Sequence, residues 1–216
     1  MSQKDYWEKK VSQLSTNIHL PVMNAKVAEH DGAWLHFSLP VALQKAIEAF
    51  SKLHGVTEYA ILMAAYSIML HAYYNEDEIV IGSAYSNRDQ AAFRQVKGFL
   101  VNPVLFVNNI NYQHSPLNFI QSIQNQSLEL QTQKTLPFGY VLALAEQEKS
   151  VGLKNFIFDY VAGDAAEPFI LAGHEGREVA FNFKQAKVPL TFSLQKTDQG
   201  ITGIIEWQKQ FFNTAQ

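Results

Sequence analysis

The sequence predicts one α/β or α+β sandwich, built on a mixed sheet with flanking helices. Of its 216 residues 47% are hydrophobic and 17% charged, which is the composition of a chain that forms a sizeable core. Helical and strand patterns alternate along the first two thirds, while strand patterns follow one another in the last third. Asp198-Gln199-Gly200 between the last two strand patterns is typical of a hairpin turn. These observations predict mixed helices and strands followed by an antiparallel meander.

The predicted helices are marked by apolar spacing and by residues suited to their ends. Thr57 is a suitable N-cap for the segment 58–74, which is apolar nearly all round and is therefore expected to be central. Pro116 occupies the first turn of a later helix. The predicted helices are residues 3–14, a helix from Pro40 to about Leu53, residues 58–74, a helix from Pro116 with Ile120, Ile123 and Leu130 on one face, and a short helix after Pro137.

The predicted strands are marked by alternation or by β-branched runs. The run Glu78–Ala84 has the β-branched character of an inner strand. The full set is residues 34–39, 78–84, 104–110, 155–161, 178–184, 189–197 and 201–208. We expect residues 1–33 to form an N-terminal helix and linker, and residues 34–216 to form a single globular unit.

Composition excludes several classes of function. The formal net charge of -3 lacks the basic surplus of a nucleic-acid-binding protein. With no cysteine, thiol nucleophiles, disulfides and cysteine-based zinc sites are excluded, and a reducing cytoplasm is compatible. The histidines show no HExxH spacing, so no metal site is expected. The longest apolar run, Tyr59–Leu70, is shorter than the ~20 residues that span a membrane, and no secretory signal is expected at the N-terminus.

Few residues suggest chemistry by their own pattern. The GxSxG nucleophile elbow and the glycine-rich phosphate loops are absent. His71 lies in the apolar helix and is expected to be a hydrogen-bonded core or capping residue. Arg88 ends an apolar strand, where α/β domains often border a binding crevice. It can either anchor neighbouring loops through bidentate hydrogen bonds or meet an anionic ligand.

One segment, Lys97–Pro103, resembles the GxFVNT motif of nonribosomal peptide synthetase condensation domains. Other segments resemble that family's motifs in the family's order, from Tyr6 to Phe212. They are Tyr6-Trp7, Ile79–Gly82 followed by Asn87-Arg88, Leu136-Pro137-Phe138, Asn155–Phe158, and the closing segments 190–194 and 203–207. The resemblance implies a fold like chloramphenicol acetyltransferase, and specifically the C-terminal lobe of the two-lobed condensation domain.

The chain departs from the family at its chemical centre. The family's catalytic HHxxxDG motif belongs to the N-terminal lobe, and no His-His pair occurs in this sequence. Pro103 replaces the motif threonine, Gly139 replaces the acidic residue after Pro-Phe, and Pro189 replaces the aspartate of the closing DLTL motif. We therefore expect no catalytic residue in this chain.

The resemblance implies half of an amide-forming enzyme. This lobe would wall one side of the tunnel and help dock the acceptor carrier protein, whose phosphopantetheine arm carries the substrate. It would also contact an N-terminal condensation lobe or adjoining synthetase domains. Gly98 would permit close backbone approach, Phe99 would pack, and Asn102 would bond the backbone. Asn87, Arg88, Pro137 and Phe138 are further candidates for residues that border the cleft or substrate tunnel. Equally, all of these motif residues would only build the fold.

Two other functions remain open. The chain could be a non-catalytic module that recruits a carrier protein or partner enzyme, using Arg94, Lys97 or Lys134 to meet a phosphate or acidic surface; these could also be ordinary surface charges. A free-standing trimeric acyltransferase is disfavoured, because that class also needs the missing histidine. An exposed lobe interface predicts self-association of the isolated chain.

Overall fold

The structure, a computed structural model, describes residues 2–15, 18–89, 91–147, 152–163, 170–176, 184–197 and 200–213. The chain divides into a first unit of Met1–Pro21 with Ala46–Phe158 and a second unit of Val22–Lys45 with Asp159–Gln216. The division predicted at residue 33 stays a prediction. The helices are α1 Gln3–Ser12, α2 Val41–His54, α3 Glu58–Tyr74, α4 Ala91–Arg94, α5 Pro116–Gln133 and α6 Phe138–Gln147. The strands are β1 Gly32–Ser38, β2 Glu78–Ser86, β3 Val101–Asn109, β4 Phe156–Ala162, β5 Ile170–Leu171, β6 His174–Glu175, β7 Leu190–Thr197 and β8 Gly200–Gln208.

The first unit contains a mixed sheet centred on β2. This strand pairs antiparallel with β3, from Glu78 opposite Asn109 to Ser86 opposite Val101. It pairs parallel with the start of β4, where Gly82 lies opposite Ile157. Antiparallel and parallel neighbours on one strand, with helices in the same unit, confirm the predicted mixed sheet with flanking helices.

Helix α3 forms much of the core of the first unit. Thr57 caps its N-terminus by accepting a hydrogen bond from the Ala60 amide at 3.2 Å, as predicted. Met63 and Leu70 are buried, and the ring of Tyr66 stacks on Phe158 at 5.9 Å. The helix is not buried all round, however, since Ile68, Met69 and Tyr73 are exposed. The predicted apolar face of α5 is confirmed by the buried Ile120, Ile123 and Leu130.

The second unit contains an antiparallel sheet in the order β1, β8, β7. Leu35 of β1 lies opposite Ile205 of β8, and the hairpin predicted between β7 and β8 is confirmed by the pairing of Thr197 with Gly200. The turn residues 198–199 and nearly all of the predicted strand 178–184 lie outside the described residues. No sequence pattern predicted α4, β5 or β6, because elements of only two to four residues are too short to show a periodicity.

Gly32 at the start of β1 is expected not to tolerate a side chain. A Cβ there would lie 2.6 Å from the backbone nitrogen of Ala186, which cannot rotate away. We therefore expect Gly32→Ala to lower the free energy of unfolding by about 1–3 kcal/mol. The matched control is Gly139→Ala in α6, where nothing lies within 4 Å of the added Cβ and a gain of about 0.5–1 kcal/mol is expected. Urea denaturation measures both; equal effects of the two substitutions would contradict the close contact at Gly32.

Buried aromatic residues hold helix α1 against the rest of the first unit. Ser2 and Asp5 form a capping box at its N-terminus, and the Trp7 indole donates to the Gln133 carbonyl at 3.1 Å. Tyr6, Trp7 and Val11 are buried. The half-buried Lys10 lies on the same face, and burial lowers the pKa of its amine from 10.5 to about 8.

The lowered pKa of Lys10 predicts a stability that rises with pH. Between pH 8 and 10.5 the folded chain binds fewer protons at Lys10 than the unfolded chain, so raising the pH favours folding in this window. Burial also raises the pKa of the neighbouring Tyr6 hydroxyl. Because of that shift, raising the pH disfavours folding, but only above the ordinary tyrosine pKa of 10. Glu78 of β2 and Glu129 of α5 are the other charged residues that line the same cavity as Lys10.

We expect the urea midpoint of the wild-type chain to rise from pH 7.5 to 9.5 relative to that of Lys10→Met. An identical pH dependence of the two midpoints would show that Lys10 is not responsible.

Among the described residues, no single helix is both long and apolar enough to cross a bilayer. Helices α2 and α3 meet that criterion only as a pair, with a bend of 113° between them.

Candidate functional site

Several residues predicted from the motifs meet at one end of the mixed sheet in the first unit. Asn87 and Arg88 follow directly on β2, and Asn102 is the second residue of β3, opposite Tyr85. Pro137 and Phe138 lie where α6 begins. The pairing of β2 with β3 places Asn87 and Arg88 close to Asn102. Hydrogen bonds of the Asn102 side chain bring the Pro137-Phe138 segment to the same corner.

The Asn102 side chain joins β3 to the connection between α5 and α6. Its amide nitrogen donates to the carbonyls of Lys134 at 2.7 Å and Leu136 at 2.6 Å. Its oxygen accepts from the Phe138 amide at 3.1 Å, which satisfies one of the free N–H groups at the start of α6. The prediction that Asn102 bonds the backbone is therefore confirmed, and one side chain fixes the position of the Pro137-Phe138 segment.

Arg88 anchors the loop that runs from β2 to β3. Its guanidinium donates to the carbonyls of Phe93 at 2.9 Å, Val96 at 2.7 Å and Gly98 at 2.9 Å. A planar donor group suits several acceptors arranged around it, whereas an ammonium group is a single point. The anchoring interpretation of Arg88 is confirmed, and contact with an anionic ligand stays a prediction.

Two predicted roles within this loop are wrong. Phe99 does not pack, because 87% of its surface is exposed. Gly98 does not permit a close backbone approach, since nothing lies within 4 Å of an added Cβ. Its φ of 155° is the better reason for glycine, because residues with a side chain rarely adopt it. The loop thus displays Phe99 instead of burying it.

Asn87 and the Pro137-Phe138 segment frame the same corner. The Asn87 amide donates to the Leu100 carbonyl at 2.8 Å, closing the base of the loop. Its side-chain oxygen is buried and has no hydrogen-bond partner in the described part of the chain. Pro137 is exposed and Phe138 is half-buried. Their role as tunnel or cleft residues stays a prediction.

Lys134 is not a surface charge. Its side chain is 3% exposed, and its ammonium group donates to the Ser86 carbonyl at 2.7 Å and to Gln131 at 3.0 Å. It also forms an ion pair with Asp89. The prediction that Lys134 is available to a phosphate or acidic surface is therefore wrong, whereas Arg94 and Lys97 are exposed on the loop. Lys134 instead fastens the end of β2 to the end of α5.

A cavity of about 330 Å³ opens beside Lys134. Tyr85 and Ser127 on its wall share a hydrogen bond of 2.7 Å between hydroxyls. Tyr59, also on the wall, donates to Ser83 at 2.9 Å. Burial raises the pKa of Tyr85, so its hydroxyl stays protonated at neutral pH. These groups can hold a polar ligand through hydrogen bonds, and no histidine lies among them to act as a general base.

The sequence did not reveal that these hydroxyls share one cavity wall. Tyr59, Tyr85 and Ser127 come from α3, β2 and α5, and no local motif connects them. In the residues covered by the structure, no group of three His, Asp or Glu side chains could hold a metal ion.

His71 occupies the core at the end of α3, as predicted. One ring nitrogen lies 2.7 Å from the Glu76 carbonyl, and the other is hydrogen-bonded to the Tyr112 hydroxyl. Both nitrogens are therefore engaged in holding the chain after α3, which is a structural role.

The Condensation domain family model matches residues 1–216. The chain therefore belongs to the condensation domain family, and the resemblance found in its motifs is confirmed. Among similar sequences, malpinin synthetase of Mortierella alpina is 23% identical over 98% of this chain and 3% of that protein. Bacitracin synthase 2 of Bacillus licheniformis is 25% identical over 97% of this chain and 8% of that protein.

Solved structures confirm the chloramphenicol acetyltransferase-like fold class. The X-domain from teicoplanin biosynthesis superposes with a TM-score of 0.81 at 17% identity, covering 99% of this chain and 50% of that one. A four-domain nonribosomal peptide synthetase bound to AMP and glycine also gives 0.81, at 16% identity, covering 99% of this chain and 18% of that one. The chain thus spans half the X-domain and only a small part of the synthetases that it matches.

Proposed function

We propose that this chain is the C-terminal lobe of a nonribosomal peptide synthetase condensation domain. In this role it forms one wall of the tunnel and the acceptor-side platform for the carrier protein, during amide formation between carrier-bound thioesters. The observation that carries the proposal is a family match over residues 1–216 in a sequence without the HHxxxDG motif. The 50% coverage of the X-domain supports it.

The corner around Arg88 and Asn102 suits positioning better than proton transfer. Both side chains donate hydrogen bonds to backbone carbonyls, and the hydroxyls on the wall of the neighbouring cavity are protonated. Rigid walls accelerate a reaction by holding two reactants in a productive geometry. The general base would come from a partner lobe, and this lobe would orient the phosphopantetheine arm of the acceptor carrier protein.

The loop held by Arg88 is the best candidate for a contact with the carrier protein. It displays the exposed Phe99 together with the exposed basic residues Arg94 and Lys97. An acidic carrier protein with a phosphorylated arm would complement such a surface. This assignment places the protein in the cytoplasm, where carrier-bound peptide synthesis would occur.

A recruitment module is the alternative function. The X-domain from teicoplanin biosynthesis has been solved in complex with OxyB, and that X-domain superposes on this chain with a TM-score of 0.80. By analogy, this chain would bind a partner enzyme or carrier protein without taking part in acyl transfer.

Titration calorimetry of the isolated chain separates the two functions. Under the proposed function, a matching N-terminal lobe that carries HHxxxDG binds this chain in a one-to-one complex. Light scattering of the chain alone is expected to show self-association, because the lobe interface would be uncovered. Binding of carrier protein with no measurable affinity for any matching N-terminal lobe would support the recruitment module instead.

A further inference from the structure

A second cavity of the first unit lies at the other end of β3, beside α1 and α5. It has a volume of about 620 Å³, and Lys10 of α1 lies on its wall with Glu78, Asn109, Gln126 and Glu129. It shares no lining residue with the cavity beside Lys134. The half-buried amine of Lys10 is its chemically distinctive group.

Gln126 of α5 fixes the surroundings of this amine. Its oxygen accepts hydrogen bonds from the Val107 amide and from the Lys10 amine, both at 2.8 Å. Its nitrogen donates to the Val107 carbonyl at 3.2 Å and to the Asn108 side chain at 3.3 Å. All the bonding capacity of the amide is therefore in use, so it cannot turn its nitrogen toward Lys10 without losing its bonds to β3.

Tyr6 supplies a second acceptor for Lys10. The amine donates to the Tyr6 hydroxyl oxygen at 3.2 Å. Two fixed acceptors match the two N–H bonds of a neutral amine, which leaves the nitrogen lone pair for a molecule in the cavity.

Burial favours the neutral form of the Lys10 amine, whereas the charges and rings around it favour the ammonium form. Burial lowers the pKa of the amine to about 8, and the charge of Glu129 acts in the opposite direction. The rings of Tyr6 and Trp7, with centroids 5.5 and 5.8 Å from the amine, exclude water but also attract the charged form. Glu78 of β2 is the other charged group on the wall, while β3 contributes Val107 and Asn109.

We propose that Lys10 is an acylation site that accepts an acyl group from a small thioester entering this cavity. The lone pair of the amine forms a C–N bond to the thioester carbonyl carbon, and the C–S bond breaks. The thiolate leaves and takes up the proton that the amine loses, so an amide and a free thiol are the products. No oxidant or metal is required, and the proposal does not rest on the proposed function.

The test uses the full chain with a limiting amount of S-acetyl-N-acetylcysteamine at pH 7.5. Peptide mass spectrometry after digestion at glutamate compares Lys10 with the exposed Lys97. Lys10 is expected to be acetylated about tenfold faster, because neutral amine is the reactive form. Its rate should level off above pH 8–9. Acetylation of Lys10 no faster than that of Lys97 overturns the proposal.

Two variants make the test specific. Lys10→Arg keeps a donor for Gln126 and should remove the fast-labelled peptide while far-UV circular dichroism stays unchanged. Glu129→Gln removes the carboxylate that favours the charged amine, so the midpoint of the rate profile at Lys10 should move to lower pH. If the midpoint does not move, the cavity does not control the amine as proposed.

Discussion

Replacing Asn102 with alanine is expected to lower the free energy of unfolding by about 2–4 kcal/mol. The substitution removes three hydrogen bonds, two donated to the carbonyls of Lys134 and Leu136 and one accepted from the Phe138 amide. Each bond contributes about 1 kcal/mol, and the backbone groups left unpaired in a part-buried site add to the loss. Asn102 is thus the side chain that joins β3 to the start of α6 at this corner.

Urea denaturation of Asn102→Ala measures this loss, and a second variant tests its cause. Asn102→Asp keeps the acceptor for Phe138 but points a carboxylate at two carbonyl oxygens, so it should be at least as destabilising. The control is Asn109→Ala, an exposed position at the far end of β3, where a change within about 0.5 kcal/mol is expected. Stability of Asn102→Ala close to that of this control contradicts the structural role of Asn102.

Replacing Arg88 with alanine is expected to release the loop between β2 and β3. The guanidinium holds three carbonyls, those of Phe93, Val96 and Gly98, which the alanine side chain leaves without this donor. Losing about 1.4 kcal/mol of local stability corresponds to an about tenfold larger population of the open loop. Hydrogen exchange should therefore accelerate about tenfold at the Asn87 amide, which bonds the Leu100 carbonyl at the base of the loop.

The controls for Arg88 separate its geometry from its charge. Arg88→Lys keeps the charge but cannot span three acceptors, so it should exchange nearly as fast as Arg88→Ala. Arg94→Ala removes an exposed arginine from the same loop and should leave exchange at Asn87 unchanged. Equal exchange in all three variants would mean that Arg88 does not hold the loop.

The regular elements of the fold could be predicted because their patterns are local. Thr57 marks the start of α3 by its own capping chemistry, and the alternating residues of β7 and β8 need only their neighbours to define a hairpin. The exposed side of α3 could not be predicted from the same pattern. An all-round apolar helix indicates burial, but which residues find partners depends on packing against distant elements.

The candidate site could be predicted in part, for a similar reason. The bonds of Asn102 and the anchoring role of Arg88 follow from residue types placed at strand ends. The exposure of Phe99 and the burial of Lys134 do not. Lys134 lies just after α5, and only the tertiary position of that helix end brings its amine to the carbonyl of Ser86. The hydroxyls beside it come from separate elements, so no spacing in the sequence connects them.

Amide formation in a reconstituted system tests whether this chain is one half of a condensing enzyme. Donor and acceptor carrier proteins, each loaded with its thioester, are mixed with this chain, with a matching N-terminal lobe, or with both, and the amide product is quantified by mass spectrometry. We expect product only when both lobes are present, because the HHxxxDG motif is absent from this sequence and this lobe supplies the opposite wall. Product from this chain and the carrier proteins alone would contradict the proposed function, as would a one-to-one complex of the lobes that forms none.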